Sequence, residues 1–180
     1  RGLGDVYKRQ ALVKRERSRF TSATFGEVTR FFARALELFD TTVFIAGNHD
    51  VHHDLSAVIP PGVAVAGTRP QTIRAGGWAL HTAAVEVDRD PRRLVPSFPS
   101  RISGAPNLGL LHTSVTGEYS NNACLPCDVE ELETRGYDAW ALGHVHQRIE
   151  LDAAVPVGWV GMGRGLIATL DDAHVTLRDL

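Results

Sequence analysis

At 180 residues, with 43% hydrophobic and 22% charged side chains, the chain has the length of one domain and an ordinary globular composition. Its net charge of -2 gives no electrostatic case for a nucleic-acid or membrane surface. No apolar run approaches the ~20 residues of a membrane span, the start lacks the apolar core of a secretory leader, and two cysteines are too few for a disulfide framework, so the chain reads as cytoplasmic.

Residues Asp5 to Gln10 read DVYKRQ, a string like one reading frame of the transposon end used to prepare shotgun sequencing libraries. Residues 1–10 are therefore set aside as an assembly scar, and 11–180 are read as part of a longer domain. Thr24-Phe25-Gly26-Glu27 has the form of a capping box. Val28, Phe31, Phe32, Ala35 and Phe39 then recur at helical spacing, which predicts a helix over 25–39. A β-branched and aromatic run over 42–46 ends at Gly47 and predicts a buried strand. Further strands are expected over 63–66, 78–83, 108–113, 139–142, 155–160, 166–170 and 175–178. Asp128-Val129-Glu130-Glu131 opens a second short helix that Gly136 can close. The four prolines from Pro91 to Pro106 mark a long surface loop. This element order favours a layered α/β or α+β sandwich.

Three strand-end segments carry side chains able to bind metal. In Gly47-Asn48-His49-Asp50, Asn48 offers a carbonyl oxygen, His49 an imidazole, and Asp50 a carboxylate able to orient that imidazole. The glycine there allows a tight turn and close backbone approach. The second segment ends an apolar strand with His112, and the third is Gly143-His144-Val145-His146. In extended backbone, residues two apart point to one side, which would direct His144 and His146 to a common site. Imidazole with amide or carboxylate oxygen suits Mn, Fe or Zn. Asn48, His112, His144 and His146 exceed what one open catalytic metal requires, whereas two ions ~3.5–4 Å apart could use all four with bridging carboxylates.

GNHD at 47–50, LLHTS at 110–114 and ALGHVHQ at 141–147 resemble the calcineurin-like metallophosphoesterase superfamily. Within it, GLLHTSVTG followed by CLPCDVEELETRGYDAWALGHVH is most similar to SbcD-type DNA repair exonucleases and their bacterial relatives. The resemblance implies a layered α-β-β-α sandwich, here with its N-terminal strand or strands missing, and metal-dependent phosphoester hydrolysis. It makes Asn48, His112 and His144 ligands of one divalent ion and His146 a ligand of a second. His49 becomes the catalytic histidine, held by Asp50. DNA as substrate, manganese as metal, a partner ATPase subunit and a homodimer are further implications.

The chain departs from the family in lacking credible Asp-x-His and Gly-Asp segments, since Gly4-Asp5 falls in the suspected scar. The glycine-rich loop at 161–165 is also abbreviated. As written, the chain is expected to be a poor catalyst. A small-molecule phosphodiesterase or phosphatase, and a non-catalytic metal- or phosphate-binding module, are the rival readings.

Cys124 and Cys127 are read as structural, His52 and His53 as loop residues, and His81 and His174 as ordinary strand or turn histidines. Gly161 to Gly165 precedes a strand, not a helix, so it is no dinucleotide fingerprint. Lys14, Arg15, Arg17 and Arg19 are taken as a solvated basic face.

Overall fold

The computed structural model describes residues 4–6, 22–172 and 174–180. In chain order the elements begin with β1 (Gly4–Val6), α1 (Ser22–Leu38), β2 (Thr42–Phe44), β3 (Val63–Val65), β4 (Gln71–Ala75), β5 (Trp78–Ala83) and β6 (Asn107–His112). They continue with α2 (Val129–Thr134), β7 (Ala139–Gly143), β8 (Ile149–Glu150), β9 (Val157–Trp159), β10 (Leu166–Asp171) and β11 (His174–Asp179). The basic stretch Lys14 to Arg19 lies outside the described residues.

The central sheet has the order β4-β5-β6-β7-β9-β8, parallel through β5, β6, β7 and β9, with antiparallel β4 and β8 at its edges. Every residue of β5, β6 and β7 is buried, as expected of parallel strands covered on both faces. Period-two alternation sorts their side chains into two cores. Leu108 and Leu110 of β6 and Ala139 and Ala141 of β7 pack with Leu166, Ala168 and Val175 of the second sheet. Leu111, Trp140 and Leu142 point the other way, against Leu132 of α2 and Tyr137. The second layer holds the antiparallel β1-β10-β11 sheet and the parallel β2-β3 pair. The backbone of Gly4–Val6 pairs with Leu166–Ala168.

α1 lays its stripe on β2, with Phe32 edge-on to Phe44 at 5.7 Å and Ala35 buried beside it. The helix already runs from Ser22, so Thr24 is an interior position and not the cap expected of it. β4 and β8 were not foreseen. β4 reaches β5 through Gly76 and Gly77, whose φ values of 54° and 87° fit the two-residue turn that follows strand twist. The segment from Pro91 to Pro106 is more than a surface loop, since Val95 and Phe98 insert into the core beside α2. The Arg135 guanidinium and the Tyr137 hydroxyl donate to carbonyls at Phe98 and Pro99 and hold it there.

Two core features are specific to these residues. Trp140 lies over Gly109 on the neighbouring strand, so that a Cβ at 109 would come within 2.1 Å of the indole. His81, read above as ordinary, is fully buried and stacked on Tyr137 at 4.0 Å. Its Nε2 lies 2.9 Å from Asn107 Oδ1, and its Nδ1 lies 2.9 Å from the Thr72 hydroxyl. Burial holds its pKa below the ordinary imidazole value against the raising effect of the Asn107 bond, with Arg135 and Arg74 adding to the depression. No helix among the described residues is long and apolar enough to cross a membrane.

Gly109→Ala is expected to lower unfolding free energy by about 1–3 kcal/mol, because the added methyl overpacks a closed layer; urea denaturation measures it. His81 remains neutral in the folded state at pH values where the unfolded imidazole takes up a proton. Its contribution to stability should therefore fall as pH drops below about 6.5, and His81→Gln should remove that part of the slope in denaturation midpoint against pH.

Candidate metal centre

Asn48, His112 and His144 all emerge where strands of the two layers end. His112 is the last residue of β6, His144 follows β7, and Asn48 lies four residues past β2. Ends of parallel strands are where open α/β sheets place their ligands. The three side chains are buried, with exposures of 2%, 3% and 8% for Asn48, His112 and His144. Their donor atoms converge. His112 Nε2 is 2.8 Å from Asn48 Oδ1, His144 Nδ1 is 3.4 Å from the same oxygen, and the two nitrogens are 3.3 Å apart. Donors bound to one ion at about 2.0–2.1 Å, at tetrahedral to octahedral angles, sit about 2.8–3.4 Å from one another. The spacing therefore fits a single divalent cation.

Local structure aims each donor. Gly47 has no Cβ, and one placed there would lie 2.5 Å from His112 Cε1, so the imidazole rests directly on the glycine backbone. The carboxylate of Asp50, expected above to hold His49, accepts the Gly47 N–H at 2.7 Å and closes the turn. Asn122 offers only a backbone carbonyl to His144 Nε2, at 2.7 Å, so that nitrogen carries the proton and Nδ1 turns its lone pair inward. The Ser120 hydroxyl lies 2.8 Å from the same Nε2. Asn122 Oδ1 is buried and has no hydrogen-bond partner among the described residues, which leaves an oxygen acceptor in the loop that braces His144.

The backbone around the cluster is strained. His144 has φ 96°, and Val115 and Leu125, on segments bonded to the end of β6, have φ 50° and 41°. Non-glycine residues in this region cost about 1–3 kcal/mol each and gather at functional sites. The bend at His144 also changes the expectation for His-x-His. β7 stops at Gly143, so 144–146 is not extended and strand alternation does not govern it. Among the described residues, the cluster with ligand atoms within 4.8 Å of one another comprises His112, Cys124 and His144. Half-buried His146 falls outside it, and its backbone carbonyl accepts the Met162 N–H at 3.0 Å.

Cys124 lies against the cluster, where its thiol donates to the His112 carbonyl at 3.6 Å. Cys127 is buried, and desolvation pushes its pKa up to about 11, which keeps it a thiol. His49 is half-buried in the turn after Asn48, while His52 is exposed and 3.9 Å from Asp88. Asp88 is the site residue that sequence reasoning missed. The Asn48 amide donates to its carboxylate at 2.9 Å. That bond, chiefly, holds the Asp88 carboxyl below the usual range against burial, and His52, Asn122 and His49 add to the effect. Nothing in Val87-Asp88-Arg89 distinguishes this aspartate from a solvated loop residue.

No family profile matches the chain. Over 57 residues, 31% of this chain, it is 37% identical to the uncharacterized metallophosphoesterase YhaO of Bacillus subtilis (strain 168). The match spans 14% of that protein's length and supports the metallophosphoesterase superfamily for this chain. A solved crystal structure superposes with a TM-score of 0.51 over 91% of this chain and 77% of its own, at 15% identity. The likeness is one of fold, a mixed α/β architecture with a central many-stranded sheet.

His144→Gly and His144→Ala both delete the imidazole, but only glycine accommodates φ 96° without strain. The glycine variant should be the more stable of the two by about 1 kcal/mol in urea denaturation.

Proposed function

We propose that this chain is a metal-dependent phosphoester hydrolase domain acting on phosphodiesters, with DNA as the favoured substrate. The observation that carries the reading is the convergence of Asn48 Oδ1, His112 Nε2 and His144 Nδ1 within 3.4 Å of one another in a buried pocket. A divalent cation bound there supplies Lewis acidity toward a phosphoryl oxygen and an activated water. The chain's own residues do the rest. Asn48, His112 and His144 hold the ion, and metal loading takes His112 Nε2 in its deprotonated form. His49, on the adjoining turn, donates a proton to the departing oxygen, and Asp50 keeps that turn closed through the Gly47 N–H. Manganese, a second ion at His146, a partner ATPase and a homodimer belong to the same proposal and rest on the motif resemblance. A non-catalytic, single-ion module is the second reading, favoured by the one donor cluster, His112, Cys124 and His144, found among the described residues.

The test is titration of the purified chain with Mn²⁺, Zn²⁺ and Fe²⁺, followed by turnover of bis(p-nitrophenyl) phosphate and of duplex DNA. Weak metal-dependent hydrolysis is expected, since Asp-x-His and Gly-Asp segments are not among the residues assigned to the site. His49→Ala should lower kcat about 10²–10⁴-fold while leaving ion binding intact, and His112→Ala should abolish both. Cleavage of the small diester without DNA would replace the nuclease reading with a small-molecule one. One bound ion and no turnover of either substrate would establish the non-catalytic module.

A further inference from the structure

We propose that Asp88 is a positioning residue that sets the affinity of the metal centre by fixing which end of the Asn48 side chain faces the cation. The inference deepens the metal-centre reading and rests on it.

A carboxamide is nearly symmetric in shape but not in charge, because one end accepts and the other donates. Asn48 can serve as a ligand only with Oδ1 toward His112 and His144. Turned over, it would aim two N–H donors at the ion and remove one of three donors. Asp88 decides between these states because an ionised carboxylate only accepts. Its Oδ1 takes the Asn48 Nδ2–H at 2.9 Å, and the reversed amide would set two acceptor oxygens against each other. Asn122 lies near the same group, and its side chain adds to the lowering of the Asp88 pKa. The Asn122 backbone carbonyl in turn accepts from His144 Nε2. Asp88 thus supports Asn48 directly, beside the loop residue whose carbonyl holds His144.

The carboxylate is itself held in place. The turn that carries it is closed by Asp90, whose buried carboxylate accepts the Glu86 N–H at 2.9 Å and the Arg92 N–H at 3.2 Å. Arg92 clasps Asp90 through Nε at 2.8 Å and donates to the Thr68 carbonyl at 2.9 Å. Two backbone bonds complete the anchorage: Val85 donates to Ala46 at 3.1 Å, and Leu125 to Asp90 at 2.7 Å. The first joins the loop to the strand end leading into Asn48, and the second joins it to the segment beside the end of β6. Asp88 itself is part-exposed and bears no core packing, so its removal leaves the fold intact.

The test compares wild type, Asp88→Ala and Asp88→Asn by calorimetric titration with Mn²⁺ and Zn²⁺, together with the Asn48 side-chain amide resonances in the metal-free protein. Outer partners of metal ligands typically govern affinity by about 10–100-fold. Asp88→Ala should weaken binding by that factor and shift the Asn48 amide resonances, with urea denaturation of the metal-free protein unchanged. Asp88→Asn retains a carbonyl acceptor and should recover most of the affinity. Wild-type affinity in Asp88→Ala would overturn the proposal while leaving the metal centre standing. Absence of ion binding by the wild type would overturn the metal-centre reading and the proposal with it.

Discussion

The ring of His112 rests on the backbone of Gly47, and the geometry of the centre follows from that contact. β6 carries the histidine and the turn after β2 carries the glycine, so the contact is where the central sheet and the second layer meet in the pocket. A side chain at 47 would drive the ring off its place, since even a Cβ would lie 2.5 Å from Cε1. With the ring seated, Nε2 meets Asn48 Oδ1, and both face His144 Nδ1. A core built at near-crystalline density transmits such a displacement instead of absorbing it. The absence of a side chain at 47 therefore sets where the His112 donor can sit.

Strain is concentrated around the same place. Val115, Leu125 and His144 adopt a backbone region that side chains disfavour, and each is restrained by neighbouring bonds. Val115 donates its N–H to the Thr113 hydroxyl, the Leu125 carbonyl accepts from that hydroxyl, and His144 is gripped by Asn122 and Ser120. Trp159 adds an indole N–H to the Thr113 carbonyl at 2.9 Å. The buried parallel strands supply the stability against which these conformations are held.

Much of this was legible in the order of residues. The apolar run over 78–83 became β5 without change, and the stripe through Phe32 and Ala35 faces the core as its spacing requires. The donors Asn48, His112 and His144 were recognisable because amide and imidazole follow glycine or an apolar strand in each motif. β4 escaped notice because it is an edge strand whose Gln71 and Arg74 blur the alternation; the Gly76-Gly77 pair was its readable signal. Strand alternation does not relate His144 to His146, because it holds only in extended backbone and the chain turns at φ 96°. Asp88 had no local signature at all. Its importance arises from Asn48, 40 positions away in sequence, and only the fold brings the two together.

The donors of the centre are far apart along the chain, with 64 positions from Asn48 to His112 and 96 from Asn48 to His144. Closing loops of that length is entropically costly before any contact rewards it. No short stretch can capture an ion by itself, so metal cannot seed folding here as it does in a zinc finger, where ligands lie a few residues apart. Assembly of the three donors must wait for both layers to dock. An ion taken up by the proposed centre would then act as a late lock, adding RT ln(1 + [L]/Kd), about 4 kcal/mol at a thousandfold excess over Kd. On that proposal, metal occupancy would report that long-range topology is complete, and a chain misfolded in either layer would go unloaded.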